Sequence, residues 1–298
     1  MYRIGIIGSE NSHAMAFSRI FNIDQAYPDM RVVAVGGDWP EESEKVKAEC
    51  GVDFVAETPT DMLGKVDAVM VTARHGGRHA AFARPFIEAG IPAFIDKPFT
   101  VDPAEAVALA KWARDKKVPL VGGSSTKDVY DVLTLRNLVK MGGCLGGMVN
   151  APLNMENPYG GFFFYSSHLA EIMMTIFGYA PKSVDASEVS GSVTAVAHYE
   201  GFDVTNHFMN GTGYYSAAVL TKARPVLREI DISMCYRHEC EAFARMLRTG
   251  EMNHSYAELV YPVFYLNAVS EAYRTGVRQK LPEIGGLLDQ SFGSPMKS

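Results

Sequence analysis

The chain has 298 residues, 47% of them hydrophobic and 21% charged, with a formal net charge of −6. These values describe an ordinary soluble globule with enough length for two domains. The acidic balance and the lack of a basic cluster exclude a nucleic-acid binder, and no apolar run approaches the roughly 18 residues that a membrane helix needs.

Met1-Tyr2-Arg3 passes directly into a strand pattern, which leaves no room for a signal peptide. Cys50, Cys144, Cys235 and Cys240 lack CxxC spacing and histidine partners, as expected of reduced thiols in a cytoplasmic protein. Arg3 to Gly8 reads as a buried strand that stops at a glycine, and Ser12 to Ile20 carries a helical apolar pattern. A strand, a tight turn and a helix in that order can open a nucleotide-binding βαβ unit. Strand patterns return at Arg31 to Val35, Val66 to Thr72, Ala93 to Ile95 and Val118 to Gly122. Helical ones lie between them, at Pro40 to Cys50, His79 to Glu88 and Pro103 to Lys116, the last capped by Asp102. This alternation predicts a mainly parallel, doubly wound sheet.

After Gly122 the pattern changes. Asp128 to Met141 reads as a linking helix ended by Gly142-Gly143. Strand periodicity dominates Gly146 to Arg228, interrupted by a helix from His168 to Phe177, and Tyr236 to Thr249 and Ser255 to Thr275 read as closing helices. Gly285 to Ser298 reads as an irregular tail. The fold class expected is α/β: an N-terminal Rossmann-type doubly wound parallel sheet over residues 1–122, followed by an α+β domain with a largely antiparallel open sheet over residues 123–298. The first domain is expected to bind a dinucleotide, and the second a substrate and another subunit.

Asp96-Lys97-Pro98 ends an apolar run. In an open parallel sheet, ligands bind outside the carboxyl ends of the strands, so a lysine there can touch a substrate hydroxyl. Pro98 biases Lys97 away from helix. A solvated lysine at a strand end is the plain alternative.

In the turn after the first strand, a regular GxGxxG would place glycines at 8, 10 and 13, but the residues are Gly8, Glu10 and His13. A carboxylate beside a diphosphate repels it unless it swings away or pairs with a cation. Ser9, Asn11 and Ser12 still offer donors at a helix amino end, which suits an anion. A purely structural turn stays open as an alternative. Asp38, after the second strand, stands near the place of a ribose-binding acid, which favours NAD over NADP; it also suits a cap or loop.

His168 and Glu171 are three apart and would share a helical face, so the carboxylate could orient the imidazole. A structural histidine is the alternative. Tyr159 to Ser167 before it combines a glycine pair with an aromatic run. His75 and His79 have i, i+4 spacing, but Gly76-Gly77 makes a helix there unfavourable, so no metal is expected.

Taken together, the strand-turn-helix start, Asp96-Lys97-Pro98, and Gly160-Gly161 before a helical histidine resemble the Gfo/Idh/MocA oxidoreductase family over nearly the whole chain. Asp96-Lys97-Pro98 corresponds to the family's E-K-P. The resemblance implies that Lys97 lies beside the nicotinamide and the reacting hydroxyl, that His168 is the acid/base, and that Thr72 and His75 approach the cofactor along with Gly8, Ser9, Asn11, Ser12, His13, Asp38 and Asp96. It implies hydride transfer between NAD or NADP and a sugar, cyclitol or related polyol, and a homodimer or homotetramer formed through the C-terminal sheet. The family usually has an aspartate four residues before the histidine; this chain has Phe164, and Tyr165, Glu171, Glu156 or Asn154 are candidates for the polar role and for substrate contact. Two other readings stay open: a non-redox member that uses the dinucleotide for elimination or glycoside cleavage, and a cofactor-free sensor or scaffold.

Overall fold

The computed structural model describes residues 1–289, which divide into two compact units. The first unit comprises Met1–Thr100, Glu105–Gly123 and Tyr236–Leu259, and the second Val101–Ala104, Ser124–Cys235 and the chain from Val260 onward.

In the first unit the strands are β1 (Tyr2–Ile7), β2 (Met30–Gly36), β3 (Phe54–Ala56), β4 (Ala68–Val71), β5 (Ala93–Asp96) and β6 (Leu120–Gly123). Their order is β3-β2-β1-β4-β5-β6, and all neighbours are parallel. β4 and β5 are buried along their whole length, the signature of strands covered by helices on both faces. The covering helices are α1 (Ser12–Ser18), which continues through a π turn to Ile23, α2 (Pro40–Cys50), α3 (His79–Glu88) and α4 (Pro103–Asp115). The strand order reverses between β1 and β4. In such a sheet that switch point opens a crevice at the carboxyl ends of the strands.

The second unit contains α5 (Tyr130–Lys140), β7 (Cys144–Leu153), α6 (Phe162–Phe177), β8 (Ser183–Val189), β9 (Ser192–His198), β10 (Asp203–Asn210), β11 (Ser216–Thr221) and β12 (Pro225–Glu229). Among the described residues, its strands order as β12-β11-β7-β10-β9-β8, extended by a two-residue strand, β13 (Gln279–Lys280). Pairing is antiparallel except between β7 and β10, which are parallel. α6 lies against β7 and β10 and is almost wholly buried.

Helix α7 (Cys235–Thr249) sends Cys240, Phe243, Ala244 and Met246 into the core around β1, α1 and β2. It is strongly amphipathic, so one face stays charged while the other completes that core. α8 (Tyr256–Thr275) follows. The irregular tail expected over 285–298 falls on a 3-10 turn through Asp289, and residues 290–298 lie outside the described residues. No helix among the described residues is long and apolar enough to cross a membrane.

One sequence expectation is corrected. The helix carrying His168 begins at Phe162, not at His168. The aromatic run forms its first turn because Phe162 packs on Phe208 and Tyr273 at ring distances of 5.4 and 5.6 Å. His168 therefore sits in the second turn of α6.

Candidate active site

The turn after β1 is built on Gly8, whose φ of 104° is left-handed. A side chain there is also barred by space, since a Cβ would stand 2.1 Å from the Ala73 amide nitrogen. Thr72 at the end of β4 closes the same turn, its hydroxyl donating to the Gly8 carbonyl at 3.0 Å. Asn11 caps α1 by accepting from the His13 amide at 3.3 Å, and its own amide donates to the Thr72 carbonyl at 2.9 Å.

The two residues that replace the usual glycines each have a partner of their own. Glu10 Oε1 accepts the Arg74 amide at 2.9 Å, which turns the carboxylate toward the loop after β4. The His13 ring donates through Nδ1 to Asp96 Oδ2. Asp96 is fully buried and acts as a hub: Oδ2 also accepts from Asn11 at 3.1 Å, and Oδ1 from the Lys97 amide at 2.6 Å. Burial alone would raise the Asp96 carboxyl, but the charge and hydrogen bond of His13, with Lys97 and His79, hold it below the ordinary range. Burial alone would likewise depress His13, and Asp96, with Glu239, holds its proton affinity above the ordinary value instead.

Lys97 follows the hub on a cis peptide to Pro98 and is only 5% exposed. Burial pushes its ammonium below the usual lysine value, against the charges of Asp96 and Glu239. Glu239 is contributed by α7, whose Tyr236 bonds Ser12 Oγ at 3.1 Å and lies edge-on to His13 at 4.8 Å. Glu239 and Tyr236 carried no sequence signal beyond their place in an amphipathic helix.

The other expected cofactor residues divide. The Ser9 hydroxyl serves the fold, bonding the Gly36 carbonyl and Ser43. His75 accepts the Gly77 amide at 3.1 Å and so caps a short 3-10 turn. His79 is buried, with its two ring nitrogens at the carbonyls of Pro98 and Ala73. Asp38 holds Arg78 in a two-bond fork at 2.8 and 2.7 Å. Among the described residues no cluster of metal-ligating side chains is present.

The cradle suits a dinucleotide. The Gly8 amide donates to the Gly36 carbonyl at 2.9 Å, and a Cβ on Gly37 would stand 3.2 Å from the Ser9 nitrogen, so glycine at 37 keeps the Ser9 amide uncovered. With Glu10 turned toward Arg74, what the turn offers is amide backbone at a helix start, the donor set a diphosphate needs.

His168 belongs to a second cluster, on α6. Phe164, one turn earlier, is buried against Tyr159 and Tyr165 at 5.9 and 4.8 Å, so that position holds apolar packing where the family pattern has a carboxylate. The His168 ring instead has Ser124 Oγ at 2.6 Å from Nδ1, and Tyr215 edge-on at 5.7 Å. Tyr165 lies beside it at 6.4 Å. Asn154 is exposed and caps the turn to Glu156, accepting that residue's amide at 3.0 Å. Glu171, one turn from His168, also grips the segment after β6: Oε2 accepts Lys127 Nζ at 2.6 Å and Oε1 the Ser124 amide at 2.8 Å. Ser124, Thr126, Lys127 and Tyr215 were not anticipated. A polar run, Ser124-Ser125-Thr126-Lys127, directly after Gly122-Gly123 at a strand end was the available signal.

Residues 2–123 match the model of an oxidoreductase family with an NAD-binding Rossmann fold, GFO_IDH_MocA. Inositol 2-dehydrogenase of Gluconacetobacter diazotrophicus is 31% identical over 124 residues, 40% of this chain and 36% of that protein, so the match spans about a third of the relative's length. The fold is shared more widely. Scyllo-inositol dehydrogenase of Lactobacillus casei, solved with NAD(H) and scyllo-inositol, superposes with a TM-score of 0.82 at 14% identity, covering 94% of this chain and 99% of that one. Myo-inositol 2-dehydrogenase of Lactobacillus plantarum gives the same TM-score of 0.82, identity of 14% and coverage of 94% and 99%. The match to that family model, with its NAD-binding Rossmann fold, thus spans the six strands of the first unit, residues 2–123.

Proposed function

We propose that the chain is an NAD(P)-dependent dehydrogenase that oxidises a secondary alcohol of a cyclitol, sugar or related polyol, with Lys97 and His168 as its reacting groups. The observation that carries this reading is the buried Lys97 ammonium, set by the Asp96 hub at the carboxyl end of β5. A buried cation is costly unless it is paired, and buried groups with perturbed proton affinity at the end of a sheet strand cluster at functional sites. The 31% identity to an inositol 2-dehydrogenase over 124 residues supports a cyclitol.

Lys97 donates a hydrogen bond to the reacting hydroxyl oxygen and lowers the cost of removing its proton. His168 accepts that proton at Nε2, and returns it in the reverse direction. The bound nicotinamide supplies the hydride acceptor. Gly8, Ser9, Asn11, Ser12 and His13 hold the diphosphate chiefly through the turn they shape, Thr72 and His75 border it, and Asp38 takes the adenosine ribose, which favours NAD. Tyr165 and Asn154 are assigned to the substrate. Met148, Leu220 and Leu227, exposed apolar residues on β7, β11 and β12, support a homodimer or homotetramer through that sheet.

A screen of cyclitols, sugars and sugar acids for NAD+ or NADP+ reduction, read at the NADH absorbance band, tests this reading. The wild type turns over at least one polyol and Lys97→Ala loses at least about 100-fold in kcat, the scale of an acid–base group. Full activity in Lys97→Ala removes the assignment.

A further inference from the structure

The hydrogen bonds around His168 favour one position for its proton. Ser124 Oγ is 2.6 Å from His168 Nδ1 and 2.6 Å from Thr126 Oγ1, and accepts the Thr126 amide at 3.2 Å. Thr126 Oγ1 in turn donates to the carbonyl of His168, at 3.5 Å. Each hydroxyl has one proton to give. If Ser124 gave its proton to Nδ1, Thr126 would have to donate to Ser124, and the bond to the His168 carbonyl would be lost. One assignment makes all four bonds: Nδ1–H donates to Ser124, Ser124 donates to Thr126, and Thr126 donates to the His168 carbonyl.

We propose that Ser124 and Thr126 are positioning residues that hold His168 as the Nδ1–H tautomer, in place of a carboxylate, so that its exchangeable proton enters and leaves at Nε2. The proposal rests on the dehydrogenase reading only for its consequence in catalysis. An Nδ1–H donor is present in both the neutral ring and the imidazolium, so the relay need not rearrange when the ring takes a proton. A third group that fixes the tautomer and orientation of a catalytic imidazole is a general device; the usual third group is an aspartate. Here Phe164 fills the helical position one turn away with an apolar ring, and the orienting group comes from the segment after β6.

That segment is itself anchored. Lys127 and Glu171 form a buried ion pair at 2.6 Å, with side chains 2% and 4% exposed, and Glu171 Oε1 holds the Ser124 amide. Glu171 thus reaches His168 through Ser124. Burial works against the Lys127 charge, but Glu171 raises its proton affinity well above the ordinary lysine value, so Lys127 stays charged in the anchor.

The test is the histidine nitrogen NMR spectrum of the full-length wild-type protein labelled with 15N-histidine, the His168 signals being identified by their loss in His168→Gln. At a pH where the ring is neutral, the expected result is a protonated Nδ1 and an unprotonated Nε2. A proton on Nε2 overturns the proposal, whatever the enzyme's activity. Ser124→Ala should redistribute the proton toward Nε2 and lower kcat about 100-fold with little change in KM, and Ser124→Thr should restore both. An unchanged tautomer in a folded Ser124→Ala protein also overturns it. If the tautomer is as stated but no polyol is oxidised, the relay stands and the dehydrogenase reading fails.

Discussion

The His13 imidazole donates through Nδ1 to Asp96 Oδ2 and so ties the turn after β1 to the end of β5. A histidine stands where the Rossmann pattern expects a glycine, and its partner is the acid of the Asp-Lys-Pro motif. Two departures from the family pattern thereby become one interaction.

The pair has a defined pH window. His13 has a raised folded affinity, so its contribution is complete below about pH 6.5 and is lost as pH rises through its folded value. Asp96 is depressed, so its contribution is present above about pH 4 and is lost as pH falls through its folded value. His13→Phe should cost about 3 kcal/mol near pH 5.5, where both groups are charged, and less at pH 9. Urea unfolding at the two pH values checks this; an equal loss at both would rule out the charged pair.

Glu10 is held by the Arg74 amide, so its removal should loosen the loop after β4 and weaken the dinucleotide. Glu10→Ala should raise the NADH Kd several-fold, about 1 kcal/mol for one hydrogen bond. Glu10→Gln, which keeps a carbonyl acceptor, should stay near the wild type. Tighter binding by Glu10→Ala would mean that the carboxylate faces the diphosphate after all.

Asp38 and Arg78 place an acid and a base at the end of β2. Asp38→Ala frees Arg78 to meet a 2′-phosphate and removes the acceptor for ribose hydroxyls. The ratio of NADH to NADPH affinity should move toward NADPH by about tenfold, or about 1.4 kcal/mol. Titration of both cofactors reads the ratio directly, and an unchanged ratio places the adenosine ribose elsewhere.

The Lys127–Glu171 pair is buried, so breaking it leaves one charge without its partner. Glu171→Gln should destabilise by about 3 kcal/mol, and adding Lys127→Met should recover most of that loss. Denaturant midpoints of the two single variants and the double variant give the coupling. Simple additivity would contradict a paired, buried interaction.

Much of this fold was legible because the first unit's strands are apolar runs bounded by glycine and proline, with helical patterns between them. The start of α6 was not: Phe162 to Tyr165 is apolar or aromatic at every position, so no period separates helix from loop, and packing on Phe208 and Tyr273 decides it. Periodicity also carries no strand direction, which hid the parallel β7–β10 pair. The candidate site was readable where chemistry and a strand end coincide, as at Lys97. It was not readable where a residue's partner is distant in the chain: Glu10 and Arg74 are separated by 64 positions, His13 and Asp96 by 83, and Ser124 and His168 by 44. Local pattern treats Glu10 and His13 as defects, whereas the fold supplies a partner for each.

The most direct test is a titration of the purified protein with NADH, followed by nicotinamide fluorescence, with folding confirmed by circular dichroism. Binding that saturates at one dinucleotide per chain is the predicted result, since the turn at Gly8 presents its backbone and the Glu10 carboxylate is held by Arg74. A folded protein that binds neither NADH nor NADPH would contradict the account and leave Lys97 and His168 without a cofactor to serve.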